Sequence, residues 1–336
     1  MRIGTPVATS ALSVQRAPLA SVLGAAAGRR PPLGALAYGE IADPAWMGGV
    51  DAPLLAGSSA MADLWLSGGR IDSGRTGAVR WRTDGHWMLG HVDLNEDGLD
   101  LERAAEAAYR DLFQSLQDTG CPHLLRVWNY LPRINEDGGG LERYRQFNMG
   151  PHQRFIGAGQ AAYEGPPPAC ALGVQRGALS IRFLAGQNAP LPLENPRQVS
   201  AYRYPSAYGP RPPTFSRAAL ADIGEGQLAL FVSGTASIVG HATVHPDDVA
   251  EQTRETLRNL DAVVEVAQQQ CDAGFEVGAL HPVVYVRHPK DAGRVREVLA
   301  RAFAADAPLL RHAIYLQADI CRQDLLVGIG AHALCR

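Results

Sequence analysis

The order of apolar runs in this chain repeats itself about halfway along. Trp87-Met88-Leu89-Gly90-His91 matches Ser237-Ile238-Val239-Gly240-His241, and after each Gly-His comes an acidic stretch, an amphipathic helix and an apolar strand. In the first copy the pattern predicts a helix near 101–117 and a strand near 124–131. In the second it predicts a helix near 248–270 and a strand near 282–286. Leu257, Leu260, Val263, Val264 and Ala267 recur with the period of one helix face, whereas the strands are short apolar runs bounded by Gly and Pro. Each copy continues with another helix and strand, at 141–159 and 178–184, then at 291–304 and 313–320, with a last strand at 325–329. Each half therefore reads β-β-α-β-α-β, an α+β module with helices on one face of a mixed sheet. The expected layout is an N-terminal module over 1–185, a connection over 186–213 and a C-terminal module over 214–336. Seven prolines hold the connection extended. Two such sheets facing each other would enclose a pocket between them, lined in part by the connection.

Composition narrows the function. With 336 residues, 46% hydrophobic and 19% charged, the chain can bury two cores and is not a disordered sequence. A net charge of −3 gives no basic field for nucleic acid, and no apolar run reaches the ~18 residues that a membrane-spanning helix needs. Five cysteines (Cys121, Cys170, Cys271, Cys321 and Cys335) are odd in number and lack metal-ligand spacing, which fits a reducing cytoplasm and no metal site. The first 39 residues contain no acid, as in a transit peptide, but their prolines and glycines and a strand-like run at 33–38 read as a frayed terminus entering the first strand. Lys290 is the only lysine, consistent with GC-rich bacterial coding. The remaining basic residues, all arginine, supply bidentate carboxylate binders wherever one lines a pocket.

Two stretches carry the candidate chemistry. Within 230–260 an apolar strand runs into Ser233-Gly234-Thr235-Ala236, then Gly240-His241, then a helix opening at Asp247-Asp248 with Gln252 and Thr253 in its first turns. A small-residue turn after a buried strand lets a ligand approach the backbone. Upstream, Tyr202-Arg203-Tyr204-Pro205 and 208–218 interleave aromatics and arginines on a proline-stiffened loop. Such a loop can stack a planar ring and fork its carboxylate; the plainer alternative is packing against the second module.

With Val127-Trp128-Asn129-Tyr130 and Arg143-Tyr144-Arg145-Gln146-Phe147-Asn148, these stretches resemble the chorismatase family, relatives of the Rid deaminases. The resemblance runs from about Gly90 onward and is strongest over 194–259. It implies a fold of two Rid-like (chorismate-mutase-like) modules with the site between them. It further implies a bacterial, cytoplasmic enzyme of secondary metabolism that takes chorismate, removes its enolpyruvyl group as pyruvate and needs no cofactor. The product is a dihydroxycyclohexadiene or a hydroxybenzoate. Chorismate is then the partner, with no nucleic acid or membrane, and the assembly is a monomer or small homo-oligomer. Gly234 and Cys321 match positions that accompany the branch making 3-hydroxybenzoate, so the 3-isomer is expected. Cys321 would touch the ring as a small thiol, without acting as a nucleophile. Expected substrate-binding residues are Tyr202, Arg203, Tyr208, Phe215, Arg217, Gly234, Thr235, Ala236, His241 and Arg311, with Cys321 and Gly328 at the catalytic positions.

The chain departs from the family at two places. Members end in a strand of the form DLLVEIE, whose first glutamate is the expected general acid; here Asp324-Leu325-Leu326-Val327-Gly328-Ile329-Gly330 has glycine at both sites. Pro151 stands where the family's Phe-Asn-x-Gly motif is usually followed by Arg. Three readings stay open. Asp319, Asp324, His241, His245 or a water could deliver the proton. The chain could bind a small cyclic carboxylate without turnover. Or it could act as a Rid-type imine deaminase, which is weakened because that chemistry uses the same missing glutamate. His91 occupies the position matched to His241, which favours a structural role for both.

Overall fold

A computed structural model describes residues 10–25, 31–39, 46–96, 100–157 and 165–335, excluding the side chains of 25 and 151–157. Its first unit is a small sheet that the repeat did not announce. β1 (Leu12–Pro18), a short helix α1 (Leu19–Ala25), β2 (Gly34–Tyr38), β3 (Met47–Val50) and β4 (Met61–Ser67) give the strand order β1-β4-β2-β3. The sequence pattern marked only the strand at 33–38, because β1 buries an arginine, Arg16, which hydrophobic periodicity cannot register.

The second unit holds β5 (Asp72–Thr76), β6 (Val79–Thr83), β7 (Trp87–Leu94), α2 (Leu101–Thr119), β8 (His123–Pro132), α3 (Arg143–Gly157), β9 (Ala169–Val174) and β10 (Leu179–Gly186). α2 begins where Asp100 accepts the Arg103 N–H at 2.9 Å and ends at Gly120, whose φ of 68° is the left-handed geometry that glycine adopts freely. The third unit holds β11 (Leu191–Leu193), β12 (Ala218–Gly224), β13 (Gln227–Ala236), a hairpin of β14 (Ile238–Val239) and β15 (Ala242–Thr243), and α4 (Val249–Gln270). It continues with β16 (His281–Val286), α5 (Ala292–Ala302), α6 (Pro308–Arg311), β17 (Ile314–Gln317), β18 (Asp319–Ile320) and β19 (Val327–Cys335). Asp248 caps α4, accepting from the N–H groups of Ala250 and Glu251 at 3.0 Å.

Strand order shows the repeat directly. The second unit runs β9-β8-β10-β7-β6-β5 and the third β17-β16-β19-β13-β12-β11, with β8/β9 and β16/β17 the parallel pairs. Two equivalent α+β modules are therefore present, as expected, but in a different register. β7 corresponds to β13, so Trp87–Leu94 matches Gln227–Ala236 and not 237–241. Gly90 lies in mid-strand, where the Phe183 ring occupies the space of a side chain. Gly240 sits at φ +59° in the β14–β15 turn. The two Gly-His dipeptides are thus a coincidence of composition. β9 was missed because ACALGV is short and small-residue-rich behind Pro166, Pro167 and Pro168. The expected connection also contributes structure: β11 lies inside 186–213 and pairs with β12 at the edge of the third sheet. β18 crosses over to extend the second sheet beside β9.

Each module buries a helix face against the outer side of its sheet, α2 through Leu112 and Leu116, α4 through Leu260, Val263 and Ala267. The inner sides of all three sheets share one core. Leu36, Tyr38 and Trp65 come from the first, Trp128, Tyr130 and Leu184 from the second, and Phe231, Val283 and Tyr285 from the third.

Three polar joints run through that core. Arg16 holds Asp63 through two bonds of 2.7 and 2.8 Å and donates to the carbonyls of Pro282 and His312, tying the first sheet to the third. Tyr38 adds a bond to Asp63 at 3.0 Å. Arg182 donates to Gly49, Val92 and Asp93, tying the second sheet to the first, and Gly48 leaves room for its stem. The hydroxyls of Tyr130 and Tyr285 meet at 3.0 Å between the second and third.

Burial alone would raise the Asp63 carboxyl, but the charge and hydrogen bonds of Arg16 outweigh it and hold it at about 2. A folded pKa below the unfolded one gives stability that is complete above about pH 4 and lost as pH falls toward 2. Asp63→Asn, which strands the guanidinium, should cost about 3–5 kcal/mol in urea unfolding at pH 7. It should also flatten the acid limb of the stability profile. A loss below about 1 kcal/mol would show that the pair is not the joint described.

Candidate functional site

Between the two modules lies a cavity of about 570 Å³. The third unit builds one wall from the end of β13 (Gly234, Thr235 and Ala236), from Tyr285 and Gly328 on β16 and β19, and from Ile320, Cys321 and Arg322. The second unit builds the opposite wall from Asn129, Glu142, Tyr144, Phe147, Asn148 and β9. Tyr204, Tyr208, Phe215 and Arg217 close it from the connecting loop.

The expected small-residue turn at Ser233–Ala236 is instead the end of β13, carrying an extra residue. Val232 pairs with Ala331 but Thr235 with Ile329, so the register slips at Ser233-Gly234. The Ser233 hydroxyl fixes this bulge by donating to the Ser216 carbonyl at 2.6 Å and accepting the Ala169 N–H at 2.9 Å. Gly234 sits at a close approach: a Cβ there would lie 3.1 Å from the Cβ of Cys170. Gln252, fully buried, fixes the segment entering β19 by donating to the Asp324 carbonyl and accepting from the Leu326 N–H, each at 2.8 Å.

The loop places its arginines against aromatic faces. Arg217 donates to Tyr204 Oη at 2.8 Å and lies over Phe215. Arg322 lies 4.2 Å from the Tyr208 ring centroid and 5.1 Å from that of Tyr204. Arg217 Nε, Arg322 Nη2 and Asn148 Nδ2 are sheltered from solvent and have no hydrogen-bond partner among the described residues. All three are donors on cavity-lining residues, and a buried donor left unpaired costs about 1–3 kcal/mol until something accepts from it. Burial pushes the Cys321 thiol up despite the nearby Arg322, which keeps it neutral. Tyr144 and Tyr285 are likewise pushed well above the usual phenol range by burial.

Of the expected residues, Cys321, Gly328, Tyr208, Phe215, Arg217, Gly234, Thr235 and Ala236 meet at this cavity. Tyr202, Arg203, His241 and Arg311 do not line it. The short helical turn Ala201–Arg203 puts Arg203 in solvent against the Tyr202 ring, and Tyr204 faces the cavity in their place. His241 is exposed and holds Tyr208 from outside, with its backbone oxygen taking the Tyr208 hydroxyl at 2.7 Å. Arg311 is exposed on α6. Asp319 is bound to Arg287 at 2.6 Å and does not line the cavity, nor does His245, whereas Asp324 lines it and accepts from Thr243. Pro151 lies within α3, and its side chain is outside the described residues.

Sequence reasoning missed Tyr204, Asn148, Glu142 and Arg322 as site residues. Glu142 accepts from Arg145 at 3.1 Å and from Asn135 at 3.2 Å. The sequence signal was adjacency, since each lies in or beside a stretch already singled out.

Comparisons with known proteins agree with this architecture. The family profile described as Chorismatase FkbO/Hyg5-like, N-terminal, matches residues 63–185. A 3-hydroxybenzoate synthase of Streptomyces hygroscopicus is 36% identical over 279 residues, 80% of each chain. A chorismatase of Streptomyces rapamycinicus is 35% identical over 275 residues, again 80% of each. A chorismatase crystal structure superposes with a TM-score of 0.85 at 30% identity, covering 98% of this chain and all of the other.

The two cavity glycines should respond differently to a methyl group. Gly234→Ala meets a backbone-anchored Cβ and should cost about 1–3 kcal/mol in urea unfolding. Gly328→Ala meets first the flexible end of Ile320, at 3.3 Å, and should stay within about 0.5 kcal/mol of the parent. Equal losses would contradict the close approach of β9 to β13.

Proposed function

We propose that this chain, which belongs to the chorismatase family, cleaves chorismate to pyruvate and a hydroxybenzoate, the 3-isomer foremost. The observation that carries the reading is the pair of cavity arginines, Arg217 and Arg322, each set against aromatic rings and each retaining a sheltered N–H with no partner among the described residues. A cyclohexadiene ring bearing one carboxylate, with a second on its enolpyruvyl arm, satisfies such a site: its faces meet Tyr204, Tyr208 and Phe215, and its charges meet the two guanidinium groups. Gly234 leaves room beside the ring, and the neutral Cys321 thiol touches it without holding a charged group there.

In the reaction, a proton added to the terminal methylene of the enol ether creates an oxocarbenium ion, which an oxygen then attacks. A placed donor is worth roughly 10²- to 10⁴-fold. Gly328 cannot supply it. The nearest neighbours of a side chain there are two carbons of Ile320 and the Thr235 carbonyl, so the position also lacks a carboxylate borrowed from a neighbouring strand. Asp137, Glu142 and Asp324 are the acids on the cavity. This favours slow turnover over fast, and gives the binding-only reading its one supporting observation.

The five unpaired cysteines support a cytoplasmic setting, and no helix among the described residues is long and apolar enough to cross a membrane. The division at 185/186 and 213/214 belongs to the same reading, amended in that β1–β4 form a sheet of their own and β11 belongs with the C-terminal module.

Purified protein given chorismate should form pyruvate and 3-hydroxybenzoate together, slowly, and Gly328→Glu should raise turnover by up to roughly 10²-fold. Tight chorismate binding without pyruvate from either form would replace this proposal with the binding-only reading. A fast parent slowed by Gly328→Glu would show that another group delivers the proton. Arg217→Ala and Arg322→Ala should each weaken chorismate binding by roughly 10- to 150-fold in calorimetry. Arg203→Ala and Arg311→Ala, outside the cavity, should leave it within about threefold. Unchanged affinity in the first pair would remove those residues from the site.

A further inference from the structure

The part of the cavity wall that carries Cys321 and Arg322 belongs to no strand. β18 pairs with β9 in the second sheet and β19 with β13 and β16 in the third, so residues 321–326 cross from one module to the other as irregular chain. Carbonyls on such a crossing have no ladder partner, and sheltered ones persist only when something else donates to them.

One side chain supplies most of those donors. Arg287, directly after β16, gives its Nε to the Leu325 carbonyl at 2.8 Å. Its Nη2 reaches the carbonyls of Arg322 at 2.8 Å and Ile320 at 3.3 Å, so the two residues flanking Cys321 are held by one nitrogen. The Arg287 backbone N–H adds the Leu326 carbonyl at 2.9 Å. Nη1 takes the Asp319 carboxylate on β18 at 2.6 Å, and Nη2 also meets Asn135 Oδ1 of the second unit at 3.1 Å. Gln252 fixes the far end of the crossing, at Asp324 and Leu326, and leaves the Cys321–Arg322 end to Arg287. The Arg287 side chain is 10% exposed and does not line the cavity, so it does not touch a ligand there. A planar guanidinium reaches acceptors at both ends of the segment at once. A lysine ammonium carries its donors on a single atom and cannot.

We propose that Arg287 is a positioning residue, whose fork of hydrogen bonds sets where Cys321 and Arg322 stand against the substrate ring and closes that wall to water. The ring is that of the chorismate reading, on which this inference rests, but the placement of Cys321 can be measured without any substrate. Stoichiometry supplies a second readout. Division of chorismate into pyruvate and a hydroxybenzoate takes up no water, whereas division into pyruvate and a dihydroxycyclohexadiene takes up one. A loosened wall that admits water beside the ring therefore shifts products toward the diol.

The test compares the full chain with Arg287→Lys, which keeps the charge and loses the fork. Cys321 and Cys271, both half-buried free thiols, are alkylated with iodoacetamide and followed separately by peptide mass spectrometry. Cys321 should react roughly 10- to 100-fold faster in Arg287→Lys, while Cys271 at the end of α4 changes by less than about twofold. A residue that merely supports the fold would lower the thermal midpoint and expose both thiols alike. With chorismate, the ratio of diol to hydroxybenzoate should rise by roughly 3- to 10-fold, a ratio that does not depend on how much enzyme is folded. A parent chain that forms no pyruvate removes the chorismate reading and leaves the alkylation result to decide the positioning role. A folded Arg287→Lys whose Cys321 gains no rate relative to Cys271 overturns the proposal, as does turnover with an unchanged product ratio. If Arg287→Lys does not fold, hydrogen exchange of the parent decides: the Leu325 and Leu326 amides should exchange at least about 100-fold more slowly than free amides, and unprotected exchange there would show that the segment is not held.

Discussion

No sheet in this protein can bury its inner face by itself. Helices cover the outer sides of the two repeated modules, but the inner sides carry Trp65, Trp128, Tyr130, Phe231 and Tyr285, each nine-tenths or more buried. Such side chains are worth roughly 1.5–3 kcal/mol apiece when removed from water, and they leave water only when the three sheets face one another. The small N-terminal sheet is thus a structural partner of equal standing, filling an inner surface that two modules alone would expose.

Apolar burial is non-directional, so the relative placement of the sheets falls to the polar joints inside the core. Arg16 reaches a carboxylate on its own sheet and two carbonyls of the third unit, and Arg182 reaches a carboxylate on its own sheet and the Gly49 carbonyl on the first. Buried ion pairs add little net stability over apolar packing, but each admits one geometry, because a displaced partner leaves an uncompensated charge. The cavity inherits that precision. Its walls come from separate units, and the β13 bulge is pinned through Ser233 to the connecting loop on one side and to β9 on the other.

The glycines of β19 change the chemistry of this framework without disturbing it. Gly328 and Gly330 have ordinary strand geometry, so neither is needed for backbone conformation. What they remove is function: a proton donor on the cavity floor at Gly328, and at Gly330 a side chain that could meet the buried charge of Arg126 on β8. The same residue change thus has a catalytic consequence at one position and an electrostatic one two residues later.

The sequence by itself determined the modules. Helix α4, with its Asp248 cap and apolar stripe, and strands β8 and β16, as short apolar runs, were legible because periodicity and capping are local. The small residues that end β13 and the glycine at 328 were legible in the sequence itself. Tertiary structure decided the rest. It set the register of the repeat, since the Gly-His dipeptides coincide in sequence while strand order aligns β7 with β13. It put Tyr204, and not Tyr202 or Arg203, at the cavity, because a single helical turn in the loop reassigns which side chains face inward. It recruited β1–β4 as a third sheet through a buried arginine, and left Arg126 without a counter-charge among the described residues. Each of these depends on which groups meet across the core after burial. Local propensity carries no record of that, because it is fixed by contacts between residues far apart in the chain.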